Sequence, residues 1–475
     1  MKYLTIIFMY LILNTSLGQS SQTSQTEFSI KAIGKKASLR SGDNFWEDAW
    51  TISPDQSPDI WYVNPNEKGS IIATFITDLD SISVEIEKGE IFEFNVILDN
   101  GEVALTQIKG AEVKARFSQE YQDKNKGRTL IEVPKVYELF NVVFALTRFY
   151  SDEETQVIEI GTSYYAEVMD WFEDYREHQC VLTVDSILRE NSSMYFILKM
   201  DSYVFDVKDG KIKSKGIYNR IAQDVGDIFI PNSLLQKYED FYTQSNFENF
   251  YDGHQDFYNS QIAHYEKNIN IALMQEWLNN NFPNTSYDCF KVIFSPLVGW
   301  NQSASWFEED GFKEAQAHVN FPYPSAKDLE RNDVVNNMLD GQILFTEFNH
   351  AYINPEAEQY FNSNNFKKAF DDMSFWWVEN GVAQTSYSNG PSTFNEMMNW
   401  ALVCVYMADN LESENLTQYI SNVENWQIEK RGFKYFKQFN QNLINLYENR
   451  QSGQTMADLY PEIIEWCLGF TLSSK

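Results

Sequence analysis

The stretch from Ser81 to Ile108 limits the fold more than any other. Ile82, Val84 and Ile86 alternate with Ser83 and Glu85, and after Lys88-Gly89 the alternation resumes at Phe92, Phe94, Val96 and Leu98. Successive side chains of a strand point to opposite faces, so this pattern describes half-buried strands with one apolar face. Asp99-Asn100-Gly101 follows at once, and Asn-Gly supplies the positive φ that a tight hairpin requires. Ile71, Ala73 and Phe75 precede these strands, with Trp61 and Tyr62 earlier still. Short strands at this spacing predict an antiparallel β-sandwich over residues 28–112. The segment has no His, no Cys and no Gly-rich phosphate loop, which makes it a support or binding module.

The periodicity then changes. Residues 113–128 are charged and turn-rich (Lys114, Arg116, Glu120, Asp123, Lys124, Gly127) and read as a linker. From 129 to 475 the spacing is mainly helical, over 136–149, 164–178, 234–258 and from Phe394 onward. Two β-rich segments interrupt it. The first is 289–298, and 315–321 is expected to return beside it as an edge strand. The expected class is therefore α+β: a sandwich, then a mainly helical domain with a small sheet. A chain of 475 residues is more than one core usually serves.

A net charge of −31 and a pI near 4.5 argue against nucleic acid and anionic membrane surfaces as partners. Lys2, an apolar run from Tyr3 to Leu13 and the small residues Ser16 and Gly18 form a signal-peptide pattern over 1–18, with cleavage after Gly18. The expected mature protein is exported, periplasmic or secreted. No later segment approaches the roughly eighteen apolar residues of a membrane span, so no membrane insertion is expected. Cys180, Cys289, Cys404 and Cys467 lack metal-type spacing and read as buried free thiols.

The residues that carry chemistry gather in Gly341–Pro355. Val334, Val335, Met338, Leu339, Phe345, Phe348 and Tyr352 recur at helical intervals, and Pro355 predicts a stop near Asn354. Thr346, Glu347 and His350 fall at i, i+1 and i+4. Zinc peptidases place His, Glu and His in this way, two imidazoles one turn apart for the metal and a carboxylate to activate water. Here Thr occupies the first position. Glu379, on what reads as the next helix, is the candidate carboxylate ligand. Taken alone, a Glu and a His on such a helix are more often a solvated face or a satisfied polar pair than a catalytic site.

Two resemblances extend this reading. Asp80–Val84, Phe94–Gly101 and Thr106–Ile108 resemble an N-terminal β module of exported bacterial hydrolase-like proteins. From Thr129 to about Cys467 the chain resembles an exported bacterial family, domain of unknown function 4932, which is similar to zinc peptidases. The match is carried by Ile131-Glu132-Val133-Pro134, Tyr175-Arg176-Glu177-His178, Phe250-Tyr251-Asp252-Gly253-His254, Val292–Leu297, Glu347-Phe348-Asn349-His350, Asn354-Pro355, Tyr447–Arg450 and Leu459-Tyr460-Pro461. The resemblance implies Glu347 as water-activating base and His350 and Glu379 as metal ligands, with Thr346 at the missing-ligand position. It also leads one to expect Arg where this chain has Ala383.

Losing one of three ligands weakens a catalytic zinc site severely, so zinc binding is expected to be impaired or absent. His318, on the expected edge strand, is the candidate substitute ligand, ahead of His178 and His254. The leading expectation is a metallopeptidase-like protein with a degenerate site, retained as a pseudo-peptidase that binds a peptide or protein. One alternative is an active zinc-dependent peptidase using His318. The other is a non-enzymatic surface module binding glycan or protein through its aromatics.

Overall fold

The computed structural model describes residues 28–473 apart from 43, 55–57, 64, 66–69, 88, 111–113, 153–155, 223–229, 324–332 and 412. The expected signal peptide lies outside the described residues. The fold is mixed α/β, with sheets in the N-terminal part and a mainly helical C-terminal part.

The first body contains β1 (Ser29–Ala32), β2 (Lys36–Ser41), β3 (Asn44–Thr51), β4 (Asp59–Val63), β5 (Ser70–Ile76), β6 (Ser81–Glu87), β7 (Ile91–Leu98) and β8 (Val103–Gly110). One sheet, β3-β2-β5-β6, is antiparallel throughout. The other, β1-β7-β8-β4, is mixed, because its edge strands β1 and β4 run parallel to their neighbours. The expectation of a wholly antiparallel module is corrected for this sheet. Alternation reveals which face of a strand is buried but not its direction, and β1 and β4 come from distant parts of the chain. Gly101 has φ 86° and joins β7 to β8 at the anticipated turn. Trp61, Phe75, Phe94, Val96 and Ile108 are fully buried in the core of this body.

The expected linker is not one. Ala115 bridges Tyr218, Arg116 N–H donates to Ile217 O (2.6 Å), and Phe117 N–H donates to Asp310 Oδ2 (3.0 Å). Phe117 is buried among Tyr121, Tyr218, Phe307 and Phe312. Helix Gln119–Asn125 follows, capped by Ser118. Glu120, Asp123 and Lys124 lie on its exposed side, which is why the composition reads as loop. Residues 114–128 therefore belong to the second core, which extends from Ala115 to Cys467.

That body is built on β9 (Arg128–Glu132), β12 (Cys289–Ser295), β13 (Ser303–Glu309) and β14 (Phe312–Asn320) in the order β13-β14-β12-β9. A separate hairpin joins β10 (Phe205–Lys208) to β11 (Lys211–Ser214). The expected strand over 315–321, whose residues up to Asn320 belong to β14, does lie beside β12, parallel to it, but it is interior. The edge is β13. Its buried positions include Ser303 and Ser305 while Ala304 and Trp306 are half-exposed, so its polarity pattern hides it.

Helix Gln342–Glu358, the site helix, packs on β14 and β13 and along helix Gly390–Asn410, the facing helix. Phe348 meets Phe290 of β12 with ring centroids 5.1 Å apart. In register with Phe290, Ala315, Ala317 and Val319 share that sheet face, whereas Lys291, Gln316 and His318 lie on the other. The site helix does not stop before Pro355 but runs to Glu358. Proline removes the donor that would bond Ala351 O, and the Tyr287 hydroxyl takes that carbonyl instead at 2.6 Å. A separate helix, Asp333–Asp340, precedes it. Between them a Cβ at Gly341 would lie 2.5 Å from Met274 Cε.

Candidate functional site

The site helix buries Phe345, Phe348 and Tyr352 completely and turns Glu347 and His350 toward the facing helix. Thr346 Oγ1 donates back to Ile343 O (2.7 Å), a common use of a mid-helix hydroxyl, and also reaches Glu347 Oε1 (3.1 Å). Burial raises the Glu347 carboxyl above its ordinary range. Glu396 reinforces the shift, while His350, Thr346 and Lys199 oppose it.

His350 Nε2 faces two groups of the facing helix, Asn399 Nδ2 at 2.7 Å and Glu396 Oε2 at 3.7 Å. Glu396 and Asn399 are one turn apart, hence neighbours on one helix face. Asn349 Nδ2 donates to Asn399 O (3.1 Å) and ties the two helices together at this level. The other oxygen of Glu396 accepts from Trp400 Nε1 (3.0 Å) and from Arg431 Nη1. Arg431 Nη2 donates to the Tyr387 hydroxyl (2.6 Å), and its guanidinium lies among the rings of Tyr387, Trp426 and Phe433. Burial pushes the Glu396 carboxyl up, but Arg431 and His350 outweigh it, so Glu396 is held below the usual carboxylate range. Glu347 and Glu396 are thus driven in opposite directions.

A further cation enters from helix Met194–Asp201. Lys199 is wholly buried and donates to the carbonyl of Asn301 and, at 3.3 Å, to its side-chain oxygen. Burial lowers its amine to about 7, against the opposing pull of Glu347.

Two expected ligands are placed elsewhere. Glu379 is not on a helix: it sits exposed in a turn after the short 3-10 segment Met373–Phe375. Asn380, at φ 60°, and Gly381, where a Cβ would meet Val378 O at 3.0 Å, keep that segment from continuing as helix. The carboxylate that faces His350 is Glu396. His318 is on an interior strand and on the sheet face turned away from the site helix, against Tyr137 and Tyr203. Its Nε2 is 3.2 Å from Gln316 Oε1, and burial, with Lys199, Lys215 and Lys291, holds it well below the ordinary imidazole range. His318 therefore does not complete the site. His178 accepts from Cys180 N–H at a helix start (3.1 Å), and His254 lies 3.0 Å from Glu167. At position 383 the buried Ala383 donates its N–H to the Arg431 carbonyl (2.7 Å).

Among the described residues, no group of three or more His, Cys, Asp or Glu side chains converges as a metal site. A catalytic zinc takes three protein ligands and water. Only His350 Nε2 and Glu396 Oε2 face one another here, and an Asn399 amide already closes on that nitrogen. The Thr346 hydroxyl is turned back into its own helix. These donors do not fit zinc. What they form is a buried, charge-balanced floor of an imidazole, a carboxylate paired with arginine and a carboxyl biased toward its protonated form.

Glu396, Asn399, Arg431, Tyr387 and Lys199 escaped the sequence reading. For Glu396 a signal exists: it is the only charged residue between Gly390 and Met407. A lone carboxylate on an apolar helix is costly to bury without a partner. Arg431 is masked by Glu429-Lys430, which makes it look like part of a surface charge run.

All four cysteines are free and buried. No helix of the described residues is long and apolar enough to cross a membrane. Compared with family models, curated proteins and solved structures, the chain matches none.

Proposed function

We propose that this chain is an exported, metallopeptidase-like binding protein: a β-sandwich module followed by a zincin-like domain whose cleft accepts a peptide or protein segment without zinc-dependent hydrolysis. The observation that carries it is the closure of His350 Nε2 by Asn399 and Glu396, with Arg431 neutralising Glu396 and Thr346 supplying no imidazole. Support for an extended ligand comes from β13, which among the described residues is an edge strand of its sheet and packs against the site helix. An open edge offers backbone donors and acceptors to an added strand. Export is supported by Lys2, the Tyr3–Leu13 run and Ser16-Leu17-Gly18. It predicts a mature N-terminus at Gln19 by protein sequencing.

The test is elemental analysis of the purified mature protein beside Thr346→His. Substoichiometric zinc in the wild type, with zinc affinity at least about tenfold higher in Thr346→His, fits the proposal. Stoichiometric zinc in the wild type, or chelator-sensitive peptide cleavage abolished by Glu347→Gln, refutes it.

A second reading, glycan binding, has one observation in its favour. Trp300, on the loop leading to β13, is 55% exposed and lies against Trp426, which in turn packs on Trp400. Such an indole shelf next to Glu396 suits a sugar ring. Quenching of tryptophan fluorescence by an oligosaccharide, lost in Trp300→Ala, would favour glycan over peptide.

A further inference from the structure

On the sheet face turned away from the site helix, the protein has a cavity of about 800 Å3. Phe117, Tyr121, Lys215, Gly216 and Ile217 line it, with the exposed Arg116 and Lys124 alongside. Behind it the polar groups are already committed to one another. Tyr121 and Tyr218 donate to Glu314, and Tyr203 donates to Glu132. Lys291 Nζ donates to the hydroxyls of Tyr203 (3.0 Å) and Tyr218 (2.8 Å) and lies 3.7 Å from Glu314.

Lys215 is the exception. Its ammonium sits 3.7 Å above the Tyr203 ring and has no hydrogen-bond or ion-pair partner among the described residues. A ring face offsets only part of the cost of desolvating a cation. Burial, with Lys291 adding to it, lowers the Lys215 amine to about 8 against the pull of Glu132, Asp206 and Glu314. Lys215 is half-buried, so its ammonium, with only a ring face against it, is open to an anion that enters the cavity.

The wall also limits the anion. Three backbone N–H groups at the wall are taken: Arg116 by Ile217 O, Phe117 by Asp310, and Gly216 by Ser214 Oγ. Glu120 and Asp310 among the lining residues oppose a second negative charge. Phe117 and Tyr121, stacked at 5.3 Å, provide an apolar surface for the rest of the ligand. We propose that this cavity binds a small organic monocarboxylate, its carboxylate on the Lys215 ammonium and its apolar body against Phe117, Tyr121 and Ile217.

The experiment is calorimetric titration of the full chain with benzoate as probe, at neutral pH, for wild type, Lys215→Met and Lys215→Arg. Saturable binding is expected in the wild type, retained in Lys215→Arg and at least about tenfold weaker in Lys215→Met, the scale of one charge-assisted hydrogen bond. A wild-type chain that shows no saturable binding up to about 10 mM benzoate overturns the site. So does a folded Lys215→Met that binds equally well. If Lys215→Met does not fold, the wild type alone decides. Acylation by an amine reagent, mapped by mass spectrometry, should be suppressed by benzoate at Lys215 and not at Lys31 or Lys36. Equal modification with and without benzoate refutes the proposal.

Discussion

Replacing Arg431 by Met keeps much of the side-chain volume and removes the guanidinium bonded to Glu396 and Tyr387. Glu396 is 4% exposed, and its remaining partners are Trp400 and His350. Breaking a buried pair by removing one member typically costs about 3–5 kcal/mol, because the surviving charge stays desolvated. The cost should depend on pH, and its sign follows from Glu396. In the wild type the folded carboxyl lies below its unfolded value, so it contributes stability above the unfolded pKa that is lost as pH falls through the folded one. Without Arg431, burial is largely unopposed and the folded carboxyl moves above the unfolded value. The penalty then vanishes below about pH 4.5 and grows as pH rises. Urea unfolding of the wild type, Arg431→Met, Glu396→Gln and the double variant at pH 7 and pH 4 measures this. Arg431→Met should lose about 3–5 kcal/mol at pH 7 and distinctly less at pH 4. The double variant should be less destabilised than the sum of the singles by about 1–3 kcal/mol. A loss equal at both pH values would be a packing effect and would refute the ion-pair reasoning, as would a loss below about 1 kcal/mol at pH 7.

Three further outcomes are expected. Lys199 has its folded pKa depressed to about 7 from 10.5, so its stability contribution is full above the unfolded value and is lost as pH falls toward 7. Wild-type stability should carry a term rising about 1.4 kcal/mol per pH unit upward from 7, and Lys199→Met should flatten it between about pH 7 and 8.5. An unchanged slope in denaturation curves would contradict the assignment. Tyr287→Phe leaves Ala351 O without its donor and should cost about 1–3 kcal/mol. Adding Pro355→Ala restores a backbone N–H to that carbonyl and should recover part of the loss in thermal unfolding, whereas a purely packing role for Tyr287 would give no recovery. Phe117→Ala should destabilise the larger body by about 3–5 kcal/mol. A true linker position would tolerate the change within about 0.5 kcal/mol.

The parts of the fold that could be read were those where one local rule acts alone. The Asn100-Gly101 turn between β7 and β8 needs only a positive φ, and the structure has it. The helix around Glu347 follows from periodicity, but its end does not. Pro355 forbids a donor without dictating what replaces it, and Tyr287, far away in sequence, supplies the answer. Residues 114–128 failed for a related reason: composition averages the two sides of a helix, and Phe117 and Asn125 face inward while the charges face out. Glu347 and His350 were visible because they share a helix turn. Glu396 and Arg431 reach them from other elements, so only tertiary structure brings the four together. His318 shows the reverse error. It is near in sequence logic, on a strand beside the site helix, but strand alternation points it to the other face.

The charges around Glu347 and His350 can be followed one at a time, and they balance with Thr346 in place. A zinc site sets a dication against its acidic groups. Here Glu396 lies close enough to raise the Glu347 carboxyl, and among the described residues no third acidic, His or Cys side chain joins them in a metal site. The protein resolves the conflict twice over. Glu347 is driven toward its neutral form by burial, against the pull of the Thr346 hydroxyl on one oxygen, and Glu396 stays ionised because Arg431 supplies a cation beside it. Placing an imidazole at 346 therefore changes only part of the balance. A metal at His350 must still displace the Asn399 amide and share Glu396 with Arg431. It follows that Thr346→His combined with Asn399→Ala should bind zinc more tightly than Thr346→His alone, by about tenfold or more if the amide competes for the imidazole nitrogen. Equal zinc affinities for the two variants, measured by competition with a chromophoric chelator, would show that Asn399 does not guard that nitrogen.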